Sequence, residues 1–279
     1  FSNIIVGSIM IAHKTSYEEK ITEDFIRHLV LNSIRNYRVK HKDKYGEIVI
    51  CTDCHGSWRK GVFPQYKAHR KTKREKQKKE EGMDWSALFK TINDIIIEID
   101  THFPYKVIAV PHAEGDDVIA VLAKNIEEKS IIISSDKDFS QLHKYKHIKQ
   151  YSPIQKKMLT TNNPYKYLKE HIIRGDKGDG VPNILSADDC IVNGERQKPI
   201  TKKKLAVWME QPDMSNGLSD KWKRNQQLID FEYIPEDISK GIMDSYTKKK
   251  DEQKQGQLLN YFITNRLKYL MENIEDFIR

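Results

Sequence analysis

The chain has 279 residues, of which 48 are Lys or Arg and 40 are Asp or Glu, and its formal net charge is +8. Apolar periodic runs within a hydrophobic fraction of 38% exclude wholesale disorder, despite a mean hydropathy of −0.70. No apolar stretch approaches the roughly 20 residues of a membrane span, so we predict no membrane partner. Three cysteines and an N-terminus without a signal-peptide pattern predict a reducing, intracellular location.

Short apolar runs alternate with helical patterns up to about residue 160. The predicted helices of this part are Asp24–Tyr37, Trp85–Ile99 and Asp117–Ile126, and the predicted strands are Glu47–Cys51, Tyr105–Val110 and Ser130–Ser134. Strands that are apolar on both faces and separated by helices are typical of a parallel α/β sheet. We therefore predict an α/β domain over residues 1–160.

Beyond residue 160 the pattern is almost entirely helical. The predicted helices are Pro164–Ile173, Thr201–Glu210, Lys221–Ile229, Glu236–Tyr246 and Gln257–Phe277. This change of periodicity predicts a second, helical domain over residues 161–279.

A dense basic segment lies within the first domain. Between Lys67 and Glu81, eight Lys or Arg residues stand against three acids, so the segment carries a net charge of +5. It has no Pro or Gly and almost nothing apolar, which predicts a solvated helix or a mobile segment and excludes a core element. Such a run is usually a solvated face or linker. Its surplus charge also suits a polyanion such as nucleic acid.

Acidic residues follow all three predicted strands, and a fourth acidic pair lies in the Gly-rich turn of residues 175–180. The full set is Asp53, Glu114, Asp116, Asp117, Asp136, Asp138, Asp176 and Asp179. Because the carboxyl ends of parallel strands meet at one edge of a sheet, these side chains should converge and repel one another. Any one of them could simply cap a helix. Together they predict an oxygen-only site for two Mg²⁺ ions, with Mn²⁺ able to substitute, of the kind that cleaves phosphodiesters.

Cys51 and Cys54, with His55 beside them, suggest a zinc site as a second metal hypothesis. A structural zinc site needs four ligands at suitable spacing, and Cys190 is the only other thiol in the sequence. We therefore interpret the three cysteines as ordinary buried or half-buried thiols.

Three motifs resemble the 5′-nuclease, or flap endonuclease, superfamily and, within it, the RNase H enzymes of T-even-type bacteriophages. They are EGDDVIAV at Glu114–Val121, SSDKDFSQLH at Ser134–His143 and GDKGDGVPN at Gly175–Asn183. The resemblance spans nearly the whole chain. It implies a PIN-like α/β nuclease domain with a parallel central sheet, a basic helical arch at about residues 58–84, and a helix-three-turn-helix motif at about residues 165–212 in a helical C-terminal half.

The resemblance also implies roles for individual residues. The first metal would be held by Asp53, Glu114, Asp116 and Asp136, and the second would be surrounded by Asp138, Asp176 and Asp179. The catalytic group would be Lys67 and Arg70, contacting the scissile phosphate, together with Asp116 and Asp136, while Tyr66 would stack on the base at the cleavage point. The residues expected to bind nucleic acid are Arg59, Tyr66, Lys67, Arg70, Lys71, Lys73, Arg74 and Lys177.

The implied activity is metal-dependent 5′-to-3′ exonuclease and flap endonuclease cleavage, at 5′ ends, flaps or nicks of DNA and at RNA primers on DNA, during phage replication. The resemblance further implies a monomer in the cytoplasm of an infected bacterium, a sliding clamp and a single-strand-binding protein as partners, and a monovalent cation at the helix-three-turn-helix turn. Two alternatives stay open: a PIN-type ribonuclease, and a catalytically impaired protein that binds flap or duplex DNA.

One departure from the family pattern bears on activity. The family places its first metal-binding Asp directly before a Phe-Ser pair, and this chain begins at Phe1-Ser2. Either the natural N-terminus carries that Asp, or the Asp has been lost or replaced. We expect a protein without this carboxylate to bind DNA but cleave it slowly, because one metal would lose a ligand. Equal cleavage rates with and without an Asp placed before Phe1 would contradict this expectation.

Overall fold

The computed structural model describes residues 22–81, 84–211, 218–250 and 257–278. Its helices are α1 (Glu23–Tyr45), α2 (Arg59–Val62), α3 (His69–Glu81), α4 (Trp85–His102), α5 (Gly115–Asn125), α6 (Pro164–Arg174), α7 (Lys202–Glu210), α8 (Ser219–Ile229), α9 (Glu236–Thr247), α10 (Leu258–Thr264), α11 (Lys268–Glu272) and α12 (Glu275–Ile278). Its strands are β1 (Val49–Cys51), β2 (Lys106–Ile108), β3 (Ser130–Ile133), β4 (Ile148–Ser152) and β5 (Lys157–Leu159). Two 3-10 helices lie at Asp138–Lys144 and Phe231–Tyr233.

The longest helix, α1, has a boundary signal at each end and runs from Glu23 to Tyr45, past the predicted end at Tyr37. The side chain of Thr22 accepts a hydrogen bond from the Phe25 N–H, and Glu23 occupies the first turn of α1, where a negative charge is favoured. The helix ends at Gly46, whose φ of 78° is readily adopted only by glycine. Its buried face, which includes Val30 and Leu31, packs against α4.

The predicted parallel pairing is confirmed, and the described strands form two small sheets. In the first sheet β1 pairs with β2, and in the second β3 pairs with β4, both in parallel. The second sheet ends in β5, which is antiparallel to β4. The sequence did not predict β4 and β5, because the buried face of β4 carries polar Gln150 and Ser152 beside Ile148.

Three clusters of buried apolar side chains form the core. The first joins α1 and α4 to the C-terminal helices, and the second lies beneath α5 and α9. The third joins α6 and α8 to the segment after α2 and includes Phe63, Tyr66, Ile173 and Trp222. Each fully buried Ile or Phe contributes about 1.5–3 kcal/mol relative to an exposed one. The third cluster therefore packs the segment around Tyr66 against helices of the C-terminal part.

The C-terminal segment corrects the prediction of one long helix over Gln257–Phe277. It forms the three short helices α10, α11 and α12 instead. The break follows α10, where Arg266 has a φ of 54° and the Leu267 N–H donates back to the carbonyl oxygen of Phe262 at 2.9 Å. This reversal buries Leu267, Leu270 and Phe277 in the first cluster.

The basic segment is a helix. Most of it forms α3, whose described side chains are nearly all exposed and none of which is buried. This agrees with the predicted solvated helix and leaves the basic side chains facing outward. The position before Phe1, where the family places a metal-binding Asp, adjoins residues outside the described ranges. No helix within those ranges combines the length and the apolar character needed to cross a membrane.

Candidate active site

The acids that follow the strands converge, as the sequence predicted. Asp53 follows β1, and its Oδ1 accepts a hydrogen bond from the Gly115 N–H at the start of α5, at 2.8 Å. Asp136 follows β3, and its Oδ1 accepts from the Asp138 N–H at 3.0 Å. A cavity of about 260 Å³, here called the acidic cavity, is lined by Asp53, Lys67, Arg70, Gly115, Asp116, Asp136, Asp138, Asp176, Gly178 and Asp179.

The Gly-rich turn after α6 supplies the acids from the helical part. Gly175 has a φ of 66°, and a Cβ there would collide with the carbonyl oxygen of Val181, so this position requires glycine. Within the turn, the Asp179 N–H donates to Asp176 Oδ1 at 3.1 Å. The turn therefore holds both carboxylates against the acids that follow the strands.

The two predicted phosphate-contacting cations lie at the wall of the acidic cavity. Lys67 Nζ donates to Glu114 Oε1 at 2.8 Å and lies 3.5 Å from Asp179 Oδ2. Arg70 Nη2 donates to Asp179 Oδ1 at 2.5 Å, and its Nε donates to the carbonyl oxygen of Gly178 at 3.1 Å. In the protein alone, these cations balance the charge of the carboxylates on their side of the cavity.

The balance of charge is uneven across the cavity. Burial raises the pKa of Asp116 to about 7, and the neighbouring charge of Asp136 adds to this shift. Burial likewise raises the pKa of Asp138 to about 8, against the opposing influence of His171. Burial alone would raise the pKa of Glu114, but the charges of Lys67 and Arg59 outweigh it and hold that pKa below its usual value. The cations near Asp116 and Asp138 therefore do not outweigh burial, as Lys67 and Arg59 do for Glu114.

Divalent ions should stabilise the protein more at high pH than at low pH. A carboxylic acid whose pKa is raised by folding favours the folded state at low pH, so the ion-free protein loses stability as the pH rises from 3.8 towards about 7 for Asp116 and about 8 for Asp138. A bound cation removes this penalty. Thermal melting at about pH 6 and about pH 8.5 measures the effect. The rise in Tm on adding Mg²⁺ should be larger at the higher pH, and an equal or smaller rise would contradict the charge imbalance.

The structure is at odds with two predicted contacts to nucleic acid. Arg59 is 3% exposed, and its guanidinium donates to both carboxylate oxygens of Asp117, at 3.0 and 2.7 Å, and to the carbonyl oxygen of Leu228. Tyr66 is 2% exposed, and its hydroxyl donates to Glu114 and Asp179. Arg59 therefore holds two parts of the chain together, and the buried ring of Tyr66 offers no open face for a base.

Replacing Arg59 by Met should destabilise the fold by about 3 kcal/mol, because it leaves the buried carboxylate of Asp117 without its cation. Urea denaturation measures the free energy of unfolding. The double variant Arg59→Met with Asp117→Leu is the control and should recover much of the loss, since neither charge then remains buried. An Arg59→Met variant that is as stable as the wild type would contradict this structural role, and Arg59 would again be a candidate for DNA contact.

The remaining predicted DNA contacts lie on the surface. Lys71, Lys73 and Arg74 are exposed on α3, and Lys177 is exposed in the Gly-rich turn. The Arg74 guanidinium lies 4.8 Å from the ring centroid of Phe89 on α4, which holds α3 against its neighbour. Within the described residues, the ion pairs of α3 involve Arg70, Lys76 and Lys78 and none of these four side chains.

Sequence reasoning missed one residue of the site, His171. It lies near the end of α6, with Nδ1 3.3 Å from Asp138 Oδ1 and Nε2 3.5 Å from Asp176 Oδ2. Burial alone would lower the pKa of His171, but its hydrogen bond with Asp176 and the charge of Asp138 raise it. The signal in the sequence was weak, since a lone His five residues before Asp176 in a helix is most often a core or surface residue.

The donor set of the cavity fits divalent cations. Carboxylate oxygens are the ligands that Mg²⁺ and Mn²⁺ prefer, and the raised pKa values of Asp116 and Asp138 mark acids whose charge is not fully compensated by their neighbours. In the described part of the chain, the one group of three metal-binding side chains whose ligand atoms all lie within 4.8 Å of one another is Asp138, His171 and Asp176. No cysteine belongs to this group.

Two family models match the chain, one over each part. The model described as the N-terminal resolvase-like domain of 5′-3′ exonucleases matches residues 15–171. The model described as the C-terminal domain of T4 RNase H matches residues 162–277. Together they cover the PIN-like α/β part and the helical part.

Individual relatives agree with these matches. The chain is 33% identical to ribonuclease H of Enterobacteria phage T4, over 99% of this chain and 94% of that protein. It is 36% identical to flap endonuclease Xni of Shewanella pealeana, over 46% of this chain and 49% of that protein. Among solved structures, the bacteriophage T5 flap endonuclease in complex with DNA and metal ions has a TM-score of 0.57 at 17% identity, covering 77% of this chain and 89% of that one. The chain therefore belongs to the 5′-3′ exonuclease family, a family of 5′-nuclease hydrolases that includes phage ribonuclease H.

Proposed function

We propose that this protein is a metal-dependent 5′-to-3′ exonuclease and flap endonuclease. Its substrates would be 5′ ends, flaps and nicks of DNA, together with RNA primers on DNA, during phage replication. The observation that carries the proposal is the acidic cavity, in which six Asp carboxylates from both parts of the chain face Lys67 and Arg70 across one space. The acids can bind metal ions, and the positively charged side chains beside them can contact a phosphate. Metal-dependent phosphodiester hydrolysis requires both groups.

Two positions for Mg²⁺ follow from the grouping of the acids. Asp53, Glu114, Asp116 and Asp136 would hold the first ion, and Asp138, Asp176 and Asp179 would surround the second. Bound ions would stabilise negative charge on the phosphate and lower the pKa of a water molecule. The raised pKa values of Asp116 and Asp138 support this assignment, because these two acids gain most from a bound cation.

Lys67 and Arg70 would exchange partners when the substrate binds. In the protein alone they donate to Glu114 and Asp179. A scissile phosphate at the cavity would compete with these carboxylates for the same N–H groups, and an ammonium and a guanidinium stabilise the charge that develops on it. Burial of the Tyr66 hydroxyl raises its pKa, so this group stays protonated and continues to hold Glu114 and Asp179 by hydrogen bonds.

The exposed basic side chains would guide the nucleic acid to the cavity. Lys71, Lys73 and Arg74 on α3 form a positive face that continues from Arg70 along the helix. Lys177 is exposed in the Gly-rich turn, whose Gly178 carbonyl oxygen accepts a hydrogen bond from Arg70. Contacts of this type add affinity without base preference and weaken as salt is raised. A nuclease that recognises an end or a flap by its structure needs this type of binding.

The proposal is tested by cleavage of a 5′-labelled flapped duplex, a nicked duplex and an RNA-primed duplex. We expect products that begin at the 5′ end or at the base of the flap, formed only when Mg²⁺ or Mn²⁺ is present. Preference for single-stranded RNA without a duplex would instead support a PIN-type ribonuclease. The sliding clamp, the single-strand-binding protein, the monomeric state and the monovalent cation at the turn stay predictions drawn from the family resemblance.

A further inference from the structure

His171 lies between two acids of the second metal position. Its side chain is 15% exposed, and it reaches Asp138 with Nδ1 at 3.3 Å and Asp176 with Nε2 at 3.5 Å. Asp138 follows β3 and Asp176 opens the Gly-rich turn, so the imidazole bridges the α/β part and the helical part. The three side chains can each offer one ligand atom within 4.8 Å of the others.

The contact with Asp138 is not a formed hydrogen bond. Nδ1 of His171 is buried and has no hydrogen-bond partner within the described residues, although a carboxylate oxygen lies near it. The ring is held in place by an edge contact with Tyr167, with centroids 5.8 Å apart. A buried ring nitrogen without an aligned partner, facing carboxylate oxygens, is the condition in which a metal ion can take a nitrogen ligand.

We propose that His171 donates a nitrogen ligand to the second metal ion, beside Asp138 and Asp176, and that this position therefore selects transition-metal ions over Mg²⁺. The inference rests on the proposed function, because it assigns a further ligand to the same metal position. Neighbouring ligands of an ion with bonds of about 2.1 Å lie roughly 3 Å apart, so a short inward movement of these groups suffices. Imidazole suits transition metals, whereas Mg²⁺ prefers oxygen ligands.

The first metal position differs in chemistry. The part of the cavity wall formed by Asp53, Asp116 and Asp136 includes no histidine among the described residues. The first position would therefore favour Mg²⁺, and the second would favour an ion such as Mn²⁺. Two unlike ions could occupy the pair of positions at once, each matched to its own ligands.

Pulsed electron paramagnetic resonance of the full-length protein with Mn²⁺, without nucleic acid, tests the assignment directly. We expect nitrogen modulation from a coordinated imidazole, and we expect its frequency to change when the protein is labelled with ¹⁵N-histidine. This measurement needs no variant, so a folding defect cannot obscure it. Bound Mn²⁺ without nitrogen modulation would overturn the proposal and leave His171 as an ion-pair neighbour of the two acids.

Variants then identify which histidine is the ligand. His171→Gln should abolish the nitrogen modulation and weaken Mn²⁺ binding at one position by about tenfold or more, with a smaller change for Mg²⁺. His171→Asp supplies an oxygen ligand instead, so it should bind Mg²⁺ at least as tightly as the wild type and should also lack the modulation. The matched control is His69→Gln, because His69 Nδ1 lies close against Gly180 in the same turn; its modulation should match the wild type. Loss of the signal in the His69 variant instead of the His171 variant would contradict the assignment.

Calorimetric titration of the protein with Mn²⁺ separates this inference from the proposed function. Calorimetry with Mn²⁺ counts the ions bound per chain. Two bound ions without a nitrogen ligand would contradict only the role of His171. A protein that binds no divalent ion, in the presence or absence of a flapped duplex, would contradict the proposed metal-dependent activity and with it the inference.

Discussion

Asp136→Asn should reduce Mg²⁺-dependent cleavage of a flapped duplex by about a thousandfold, which corresponds to roughly 4 kcal/mol of lost transition-state stabilisation. Asp136 lines the cavity together with Asp116 and Asp138, and its charge raises the pKa of both. The amide oxygen of Asn can still accept the hydrogen bond from the Asp138 N–H, so the local backbone should be kept. Single-turnover cleavage of a 5′-labelled flap measures the loss.

Stability provides a second readout for Asp136→Asn. In the ion-free protein this variant should be at least as stable as the wild type, because the repulsion between Asp116 and position 136 is removed. Asp94→Asn is the matched control, since Asp94 pairs with Lys90 on the exposed face of α4 and should change neither cleavage nor metal binding. An Asp136→Asn protein that cleaves at the wild-type rate would remove this acid from the active site.

Lys67→Ala should lower the rate of cleavage by about a hundredfold to a thousandfold while leaving metal binding intact. Lys67 Nζ lies 2.8 Å from Glu114 in the protein alone, and its positive charge holds the pKa of that acid low. Removing the cation takes away a group that would stabilise the phosphate, and it also removes a competitor of the metal ion for Glu114. The variant should therefore bind Mg²⁺ at least as tightly as the wild type.

The opposite directions of these two effects make the prediction for Lys67 specific. A variant that was merely misfolded would lose both cleavage and metal binding. Lys90→Ala, at an exposed ion pair on α4, is the control for loss of a lysine and should behave as the wild type. Weaker Mg²⁺ binding together with normal cleavage in Lys67→Ala would contradict the proposed role of this lysine.

Local patterns predicted most of the regular structure. Apolar runs identified β1, β2 and β3, and helical periodicity identified α1, α4, α5 and α6, because most of the side chains buried in these elements are apolar. The pattern failed in β4, where fully buried Gln150 donates to the carbonyl oxygens of Ser134 and Asp136. A polar residue that is buried because it satisfies backbone groups gives no hydrophobic signal.

The acids of the candidate site could be predicted from the sequence. The positions of Arg59 and His171 could not. Acids at strand ends converge because the topology of a parallel sheet requires it. The burial of Arg59 depends on Asp117, which lies 58 residues further along the chain, and no local pattern reveals such a pair. His171 likewise gained its position from the packing of α6 beside the 3-10 helix that begins at Asp138.

The most direct test of the account is hydrolysis of a 5′-labelled flapped duplex by the full-length protein, with binding recorded in parallel. Reactions with Mg²⁺, with Mn²⁺ and with a chelator use the same enzyme and substrate. The account predicts binding in all three conditions and cleavage only in the first two, with products released from the 5′ end or the flap. Binding without cleavage at every concentration of Mg²⁺ and Mn²⁺, or cleavage that persists in the chelator, would contradict a metal-dependent 5′-nuclease.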